Sequence, residues 1–178
     1  KDIVEVCYHS KAGHVGGSLS AIDILNVLYF NELRIDPNNP KMENRDRFIL
    51  SKGHIAEALY VTLAKRGFFA YSELDNFSGY NTKYIGHPNN KVAGVEMNTG
   101  ALGHGLAIGV GLAIAAKKMG QDYRTYGLMG GGEVAEGSIW ESAMAAGHYK
   151  LDNLCAIVDR NHLQISGCTE TVMTLEDL

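Results

Sequence analysis

The sequence predicts an α/β domain in which a parallel sheet carries helices on both faces. Three short apolar segments, at 48–50, 126–129 and 154–159, are predicted to be strands, and the first of them a buried one. Helical segments separate them along the chain, and strands that alternate with helices form parallel sheets. Ligands of such sheets bind beyond the carboxyl ends of the strands, so the residues after each strand are the first candidates for a site.

Length and composition are those of a globular protein without a strong surface charge. The chain has 178 residues, of which 46% are apolar and 20% charged, and its formal net charge is −4. One domain over residues 1–178, with its own core, fits that length. We expect no nucleic-acid partner, because the charge offers no basic footprint. We expect no membrane span, because no apolar run reaches ~20 residues.

The cysteines and the chain ends add two expectations. Cys7, Cys155 and Cys168 are odd in number and lack metal-ligand spacing, which favours reduced thiols in a cytoplasmic protein. The sequence shows no signal-peptide pattern. The chain opens on Lys1 without a methionine and closes on Leu178 without a clear ending. We therefore expect a fragment of a longer protein.

The first quarter of the chain reads as two helices and a loop. Residues 1–12 have a helical pattern, and the glycines within 13–17 are expected to break that helix. Ser20 and Asp23 resemble a capping box, so the second helix is predicted to begin there. The prolines within 37–40 mark the loop that follows.

The middle of the chain is predicted to hold two helices and a long loop. One helix covers 55–66 and ends at Gly67, and a shorter one covers 72–77. Residues 78–97 are rich in Gly, Asn and Tyr and show no period. A loop of that length inside a compact domain is usually functional or disordered.

Two glycine-rich turns precede the remaining helices. Gly100–Gly105 leads into a helix predicted to reach Met119, and Gly130–Gly132 leads into one predicted over 134–149. Such a helix start presents backbone N–H groups and a positive dipole end to an anion. Glycines also serve tight turns and close packing, so each turn alone is weak support. The pair, with Asn161 after the next strand, favours a diphosphate site.

Three histidines stand beside glycines, in loops or at the ends of elements. These are His14, His54 and His87. A histidine so placed is free to bind an anion or to move a proton near neutral pH. The alternative for each is a plain capping or packing role. No pair of histidines or cysteines has the spacing of a zinc site.

The oxygen donors for a magnesium ion are few. Asn161 offers a side-chain oxygen, and Leu163 offers a backbone carbonyl. A third protein ligand is expected from the second glycine turn, where Gly131 has no side chain. Glu133 follows in the first turn of the predicted helix, where a carboxylate complements the dipole, and that alone accounts for it.

The order and spacing of the motifs resemble transketolase, most closely the N-terminal subunit of its split, two-gene form. The resemblance covers essentially the whole chain. The segments that carry it are Ser10–Ser20, Asp46–His54, Gly86–Pro88, Thr99–Gly105, Gly132–Glu141 and Asp159–Asn161. It implies the diphosphate-binding domain of the thiamine diphosphate-binding fold, truncated before the last strands and helices of its sheet.

The resemblance also implies a role for each matching residue. Histidines that face the substrate and the reactive ring of the cofactor match His14, His54 and His87. Residues that bind thiamine diphosphate match His54, Gly100, Leu102, Gly132, Glu133 and Asn161. Ligands of Mg²⁺ match Asn161 and the carbonyl of Leu163.

The chain departs from the family pattern at two positions. Val15 replaces a proline, which should only loosen the first His-Gly loop. Gly131 replaces the aspartate that ligates Mg²⁺. Loss of even an outer-shell partner typically weakens metal binding by ~10–100-fold, so loss of this direct ligand should weaken it at least as much.

The reaction implied by the resemblance needs a second chain. Transketolase transfers a two-carbon ketol unit between sugar phosphates in carbohydrate metabolism, typically the pentose phosphate pathway. The partner implied here is the C-terminal subunit, which supplies the pyrimidine-binding domain. The assembly implied is a heterotetramer or a dimer.

Three alternatives remain open at the level of sequence. Without the aspartate, the chain would serve as a non-catalytic assembly subunit. Within the same cofactor class it would be a deoxyxylulose phosphate synthase-like enzyme, although Asp46–His54 and Glu133–Glu141 fit transketolase better. The segment Gly130–Ala135 also fits the G-x-G-x-x-A pattern of dinucleotide-binding proteins. That pattern explains neither the histidine motifs nor Asn161.

Overall fold

The computed structural model describes residues 1–165 and 167–176. The chain divides into two compact units. The helical unit consists of Lys1–Asp46 and Gly53–Gly100, and the sheet unit consists of Arg47–Lys52 and the chain from Ala101 onward. The expectation of one domain over 1–178 stays a prediction.

The helical unit is built around a buried helix. Helices α1 (Asp2–Ser10), α2 (Val15–Val27) and α3 (Ala56–Arg66) contact one another. Every residue of α3 from Ala56 to Ala64 is buried. The helix is packed on several sides, so that even its polar residues Glu57 and Thr62 are buried. The chain leaves it at Gly67, whose φ of 99° gives the left-handed end that the sequence predicts.

The start of α2 is a correction to the sequence prediction. The helix begins at Val15, not at Ser20, and Gly16 and Gly17 lie inside it. The backbone N–H of His14 and the hydroxyl of Ser18 donate to the Glu57 carboxylate. A cap from elsewhere in the chain thus replaces the local cap that the sequence offers.

The remainder of the helical unit follows the prediction closely. Helix α2 continues as one wider turn over Leu28–Glu32, and a 3₁₀ helix covers Tyr71–Asn76. Residues 78–97 form no helix or strand. Hydrogen bonds order this segment, among them one from the Ser78 N–H to the Tyr84 carbonyl at 2.8 Å.

The sheet unit confirms the α/β prediction. Strands β1 (Arg47–Leu50), β2 (Thr125–Gly130) and β3 (Leu154–Asp159) form a parallel sheet in that order. Helix α4 (Gly105–Met119) packs on all three strands. The register places Gly130 beside Asp159, so β2 and β3 end together. The carboxyl ends of the strands therefore meet at one edge of the sheet.

The segment after β2 differs from the prediction at its start. Gly132–Ala135 forms a 3₁₀ turn, so α5 runs over Gly137–His148 and begins three residues later than predicted. Beyond β3 the sequence predicted no regular structure. The structure has a two-residue antiparallel pair, β4 (Leu163–Gln164) with β5 (Gly167–Cys168), and a single helical turn, α6 (Thr169–Val172). Among the described residues, no helix has the length and apolar character to span a membrane.

Candidate functional site

The sheet unit gathers polar residues at the carboxyl ends of its three strands. Ser51 and Lys52 follow β1, the turn Gly130–Glu133 follows β2, and Asp159 ends β3 ahead of Asn161. This is the edge at which open α/β sheets bind ligands.

Glu133 is the centre of a buried hydrogen-bond network in this unit. Its side chain is 2% exposed. One carboxylate oxygen accepts the Ser51 hydroxyl and the Gly103 N–H, the latter at 2.8 Å, and the other accepts the Gly130 N–H at 3.1 Å. Hydrogen bonds to a carboxylate are stronger than neutral ones. Glu133 therefore ties the end of β1, the first glycine turn and the second glycine turn into one rigid cluster.

Gly103 and Gly105 are two positions at which the first glycine turn depends on glycine. A Cβ on Gly105 would lie 2.2 Å from the Ser51 oxygen, which accepts the Gly105 N–H at 3.1 Å. Gly103 has a φ of 89°, and a Cβ there would meet Ser138 and Glu136 below 3.0 Å. Close approach and a left-handed backbone both require glycine. These glycines let Ser51 and Glu133 reach the start of α4.

Lys52 and Asp159 form a buried ion pair between the two outer strands. The ammonium nitrogen and a carboxylate oxygen are 2.7 Å apart, and the side chains are 3% and 7% exposed. Removing one partner of such a pair is strongly destabilising, because the other charge is left buried. The pair fixes the ends of β1 and β3 on either side of β2 and engages the Asp159 carboxylate.

The two glycines of the second turn have different surroundings. A Cβ on Gly132 would lie 2.4 Å from the Gln164 amide oxygen and 3.1 Å from its Cβ. A Cβ on Gly131 would meet its nearest atoms, of Arg160, Asp159 and Leu175, at 3.6 Å, which is ordinary contact. The φ and ψ of Gly131 are −56° and −47°, which any residue adopts. A side chain at 132 would therefore force Gln164 to move, whereas one at 131 would meet only ordinary contacts.

Asn161 and Leu163 lie in a loop that Arg160 anchors. The Asn161 side-chain oxygen accepts the Leu163 N–H at 3.1 Å. The Arg160 guanidinium donates to Thr169 at 3.0 Å and to Glu170 at 2.6 Å. These bonds connect the end of β3 to the start of α6.

Oxygen donors of the type that magnesium prefers are present in this loop. Magnesium keeps several waters and takes further ligands from substrate phosphates. Asn161 and the carbonyl of Leu163 are neutral, and the buried carboxylates Glu133 and Asp159 are held by other donors. No group of three or more His, Cys, Asp or Glu residues in 1–165 and 167–176 has the arrangement of a metal site. The residues fit a magnesium ion completed by phosphate and water, without an anionic protein ligand.

The helical unit carries the three histidines singled out by the sequence. His14 is exposed and His54 is half-buried, and their rings lie edge to face with centroids 5.1 Å apart. The structure thus brings two of the three together. Imidazoles that solvent reaches can offer a hydrogen-bond donor or acceptor to a bound molecule.

His87 has a different support within the same unit. Its backbone carbonyl accepts the Tyr60 hydroxyl at 2.8 Å, and burial raises the pKa of that hydroxyl, so Tyr60 stays a donor. The ring of His87 lies against Gly100, where a Cβ would be 2.5 Å from it. Gly100 has a φ of 140°, so both its conformation and its neighbour require glycine.

Two predicted cofactor residues have less support from their contacts. Leu102 is 39% exposed. Glu133 is so fully engaged that it acts on a ligand only through the turns that it holds. The roles of all the predicted site residues stay predictions.

Sequence reasoning missed four buried polar residues. The sequence does mark the positions of Ser51, Lys52 and Asp159, because each ends or follows a predicted strand. Glu57 is fully buried, and the sequence could have indicated it as a carboxylate within the mainly apolar first half of a helix. None of the four has a local pattern that reveals its partner.

Comparison with known proteins adds the family context. The sequence model described as "Transketolase, thiamine diphosphate binding domain" matches residues 2–178. An apulose-4-phosphate transketolase subunit from Phocaeicola vulgatus is 56% identical over 178 residues, which cover 100% of this chain and 63% of the relative. The 6-deoxy-6-sulfo-D-fructose transketolase subunit of a Clostridium species is 44% identical over 167 residues, 93% of this chain and 61% of the relative.

Solved structures agree with the sequence comparison. A transketolase from Campylobacter jejuni superposes with a TM-score of 0.92 at 35% identity, covering 98% of this chain and 29% of that one. A transketolase from Leishmania mexicana gives a TM-score of 0.93 at 30% identity, with 98% and 28% covered. The chain thus spans about three fifths of the two curated relatives and less than a third of these solved chains.

Proposed function

The chain belongs to the transketolase family through its thiamine diphosphate-binding domain, and from that premise we propose that it is the diphosphate-binding part of a transketolase-type transferase. The observation that carries the proposal is the Glu133 network. It holds both glycine turns in place by buried bonds from Ser51, Gly103 and Gly130. A backbone fixed in this way is pre-organised for the anionic end of a cofactor.

Each unit contributes its own residues to the proposed chemistry. When bound, thiamine diphosphate supplies the electron sink that lets a carbon–carbon bond beside a carbonyl break. In the sheet unit, Gly132 and Asn161 would hold the diphosphate, and Asn161 with the Leu163 carbonyl would hold Mg²⁺. The family resemblance assigns further cofactor contacts to His54, Gly100 and Leu102.

The histidines would manage protons on the sugar. The imidazole nitrogens of His14, His54 and His87 would donate to the donor carbonyl and accept from its hydroxyl groups. The accessible edges of His14 and His87 suit this role, since both side chains are exposed. Hydrogen bonds hold the backbone of both residues, through the His14 N–H and the His87 carbonyl.

The names of the relatives point to ketoses with an anionic group. One acts on apulose-4-phosphate and another on 6-deoxy-6-sulfo-D-fructose. We infer a donor of this class, a ketose that carries a phosphate or sulfonate, which is broader than the sugars of the pentose phosphate pathway. The partner proposed is a second subunit with the pyrimidine-binding domain, because both of these relatives are named as subunits of a transketolase.

A transfer assay on the complex tests the proposal. The chain is combined with its cognate second subunit, thiamine diphosphate and Mg²⁺, and two-carbon transfer from a ketose phosphate to an aldose phosphate is followed. We expect transfer by the original chain and faster transfer by Gly131→Asp at limiting Mg²⁺. Absence of transfer by both proteins would overturn the proposal.

Gly131 favours a second candidate, a non-catalytic assembly subunit. Packing does not require glycine there, so the missing carboxylate is a change in chemistry rather than a structural necessity. Such a subunit would bind its partner chain with no Mg²⁺-dependent stabilisation by the cofactor. Thermal unfolding of the complex with and without Mg²⁺ and thiamine diphosphate separates the two functions.

A further inference from the structure

Glu57 is a fully buried carboxylate to which the proposed reaction assigns no role. It is the second residue of α3 and is 0% exposed. One of its oxygens has no hydrogen-bond partner. Burial of a carboxylate is unfavourable unless it is well hydrogen-bonded. We therefore expect Glu57 to have a role beyond packing.

Its other oxygen holds the loop that carries His14. It accepts the His14 N–H at 2.6 Å and the Ser18 hydroxyl at 2.7 Å. Gly13 has a φ of 122°, and a Cβ there would lie 3.1 Å from the same oxygen and 2.6 Å from the Cys7 sulfur. The loop is therefore shaped to bring its backbone onto this carboxylate.

Cys7 belongs to the same cluster. Burial, then the Glu57 charge and a hydrogen bond to Glu57, raise the pKa of its thiol to about 11. The thiol therefore stays protonated beside the carboxylate. The two groups that donate to Glu57 are uncharged, an N–H and a hydroxyl.

The side chain of His14 takes no part in capping helix α2. His14 occupies the N-cap position of α2, and its side chain makes no cap hydrogen bond. At this position a Ser, Thr, Asn or Asp side chain normally binds the first free N–H groups. Glu57 instead accepts the backbone N–H of His14 itself and the Ser18 hydroxyl from another helix, and the imidazole of His14 is exposed beside His54.

We propose that Glu57 is a positioning residue that fixes the backbone of His14 and so sets the place of its imidazole. This inference rests on the proposed function, in which His14 faces the sugar. Glu57 acts through His14 and does not itself contact the substrate. A small displacement of a reacting group is enough to slow catalysis by ~100-fold.

A double-mutant cycle on the complex tests the proposal. We expect Glu57→Ala to lower kcat/KM by at least ~10-fold, and by less than ~2-fold in a His14→Ala background. Glu57→Gln, which keeps an accepting oxygen, should restore most of the loss. Equal losses in both backgrounds would overturn the proposal. Leu59→Ala is the matched control, because Leu59 is buried in the same helix and its side chain has no hydrogen-bonding group, and its effect should be independent of His14.

A second measurement does not depend on transferase activity. The amide proton of His14 donates to a carboxylate at 2.6 Å, so its NMR resonance should lie downfield in the original chain. It should move upfield in Glu57→Ala and stay close to its place in Leu59→Ala. An unchanged resonance in Glu57→Ala would overturn the positioning role. If the complex is inactive while the resonance moves as expected, the proposed function fails and the assignment of Glu57 stands.

Discussion

Gly131 and Gly132 are neighbours in one turn, yet a side chain would crowd its surroundings at only one of them. A Cβ on Gly132 would clash with the Gln164 side chain, whereas Gly131 has ordinary helical angles and a Cβ there would make ordinary contacts at 3.6 Å. A glycine can therefore mark a steric need or simply the absence of a side chain. The aspartate that the family resemblance implies at 131 is therefore not excluded by packing. Its replacement by glycine removes a carboxylate without a structural need for glycine.

Among these variants, the largest loss of stability is expected at Glu133, because its carboxylate holds the turn. Glu133→Ala leaves the Ser51 hydroxyl and the N–H groups of Gly103 and Gly130 without their acceptor. We expect the free energy of unfolding to fall by about 3 kcal/mol or more, because each unsatisfied buried group costs about 1–3 kcal/mol. Urea unfolding measures it. Glu136→Ala is the control, since Glu136 is exposed, and equal losses for the two variants would refute the central role of Glu133.

A smaller effect is expected at Gly132. Gly132→Ala places a Cβ against Gln164, so that side chain must move. Overpacking of this kind lowers stability by about 1–3 kcal/mol. A double variant, Gly132→Ala with Gln164→Ala, should recover most of the loss, and failure to recover would locate the strain elsewhere.

The smallest effect, and one of opposite sign, is expected at Gly131. Gly131→Ala suits the backbone angles of −56° and −47° and restricts the unfolded chain. We expect it to raise the free energy of unfolding by about 0.4–1 kcal/mol. Destabilisation as large as that of Gly132→Ala would show that the two glycines are equivalent after all.

The fold was more predictable than the contacts within it. The segments that became β1 and β3 are short and apolar, and their period and flanking turns are local signals. The start of α2 was predicted wrongly because its cap, Glu57, lies 39 residues beyond Ser18. The pair β4 and β5 was missed because two-residue strands carry no period.

The candidate site shows the same limit. Its glycines and histidines can be recognised in the sequence by their types and spacing. The buried polar pairs around them cannot be recognised in that way, because the partners are distant in sequence: Lys52 and Asp159 are 107 residues apart. Glu133 was already explained by its place in a first helical turn, so its role at the centre of a network was not sought. Pairings of this kind depend on tertiary structure and leave no local pattern.

We propose that the sheet unit retains a cofactor site and that the aspartate implied by the family resemblance at 131 is the one metal ligand it lacks. Calorimetry of thiamine diphosphate binding, with and without Mg²⁺, tests it on the original chain, Gly131→Asp and Gly131→Asn. We expect the aspartate variant to bind thiamine diphosphate at least ~10–100-fold more tightly than the original chain in Mg²⁺. This gain in affinity should disappear without the metal and in the neutral asparagine variant. Equal affinities of the three proteins in Mg²⁺ would contradict it.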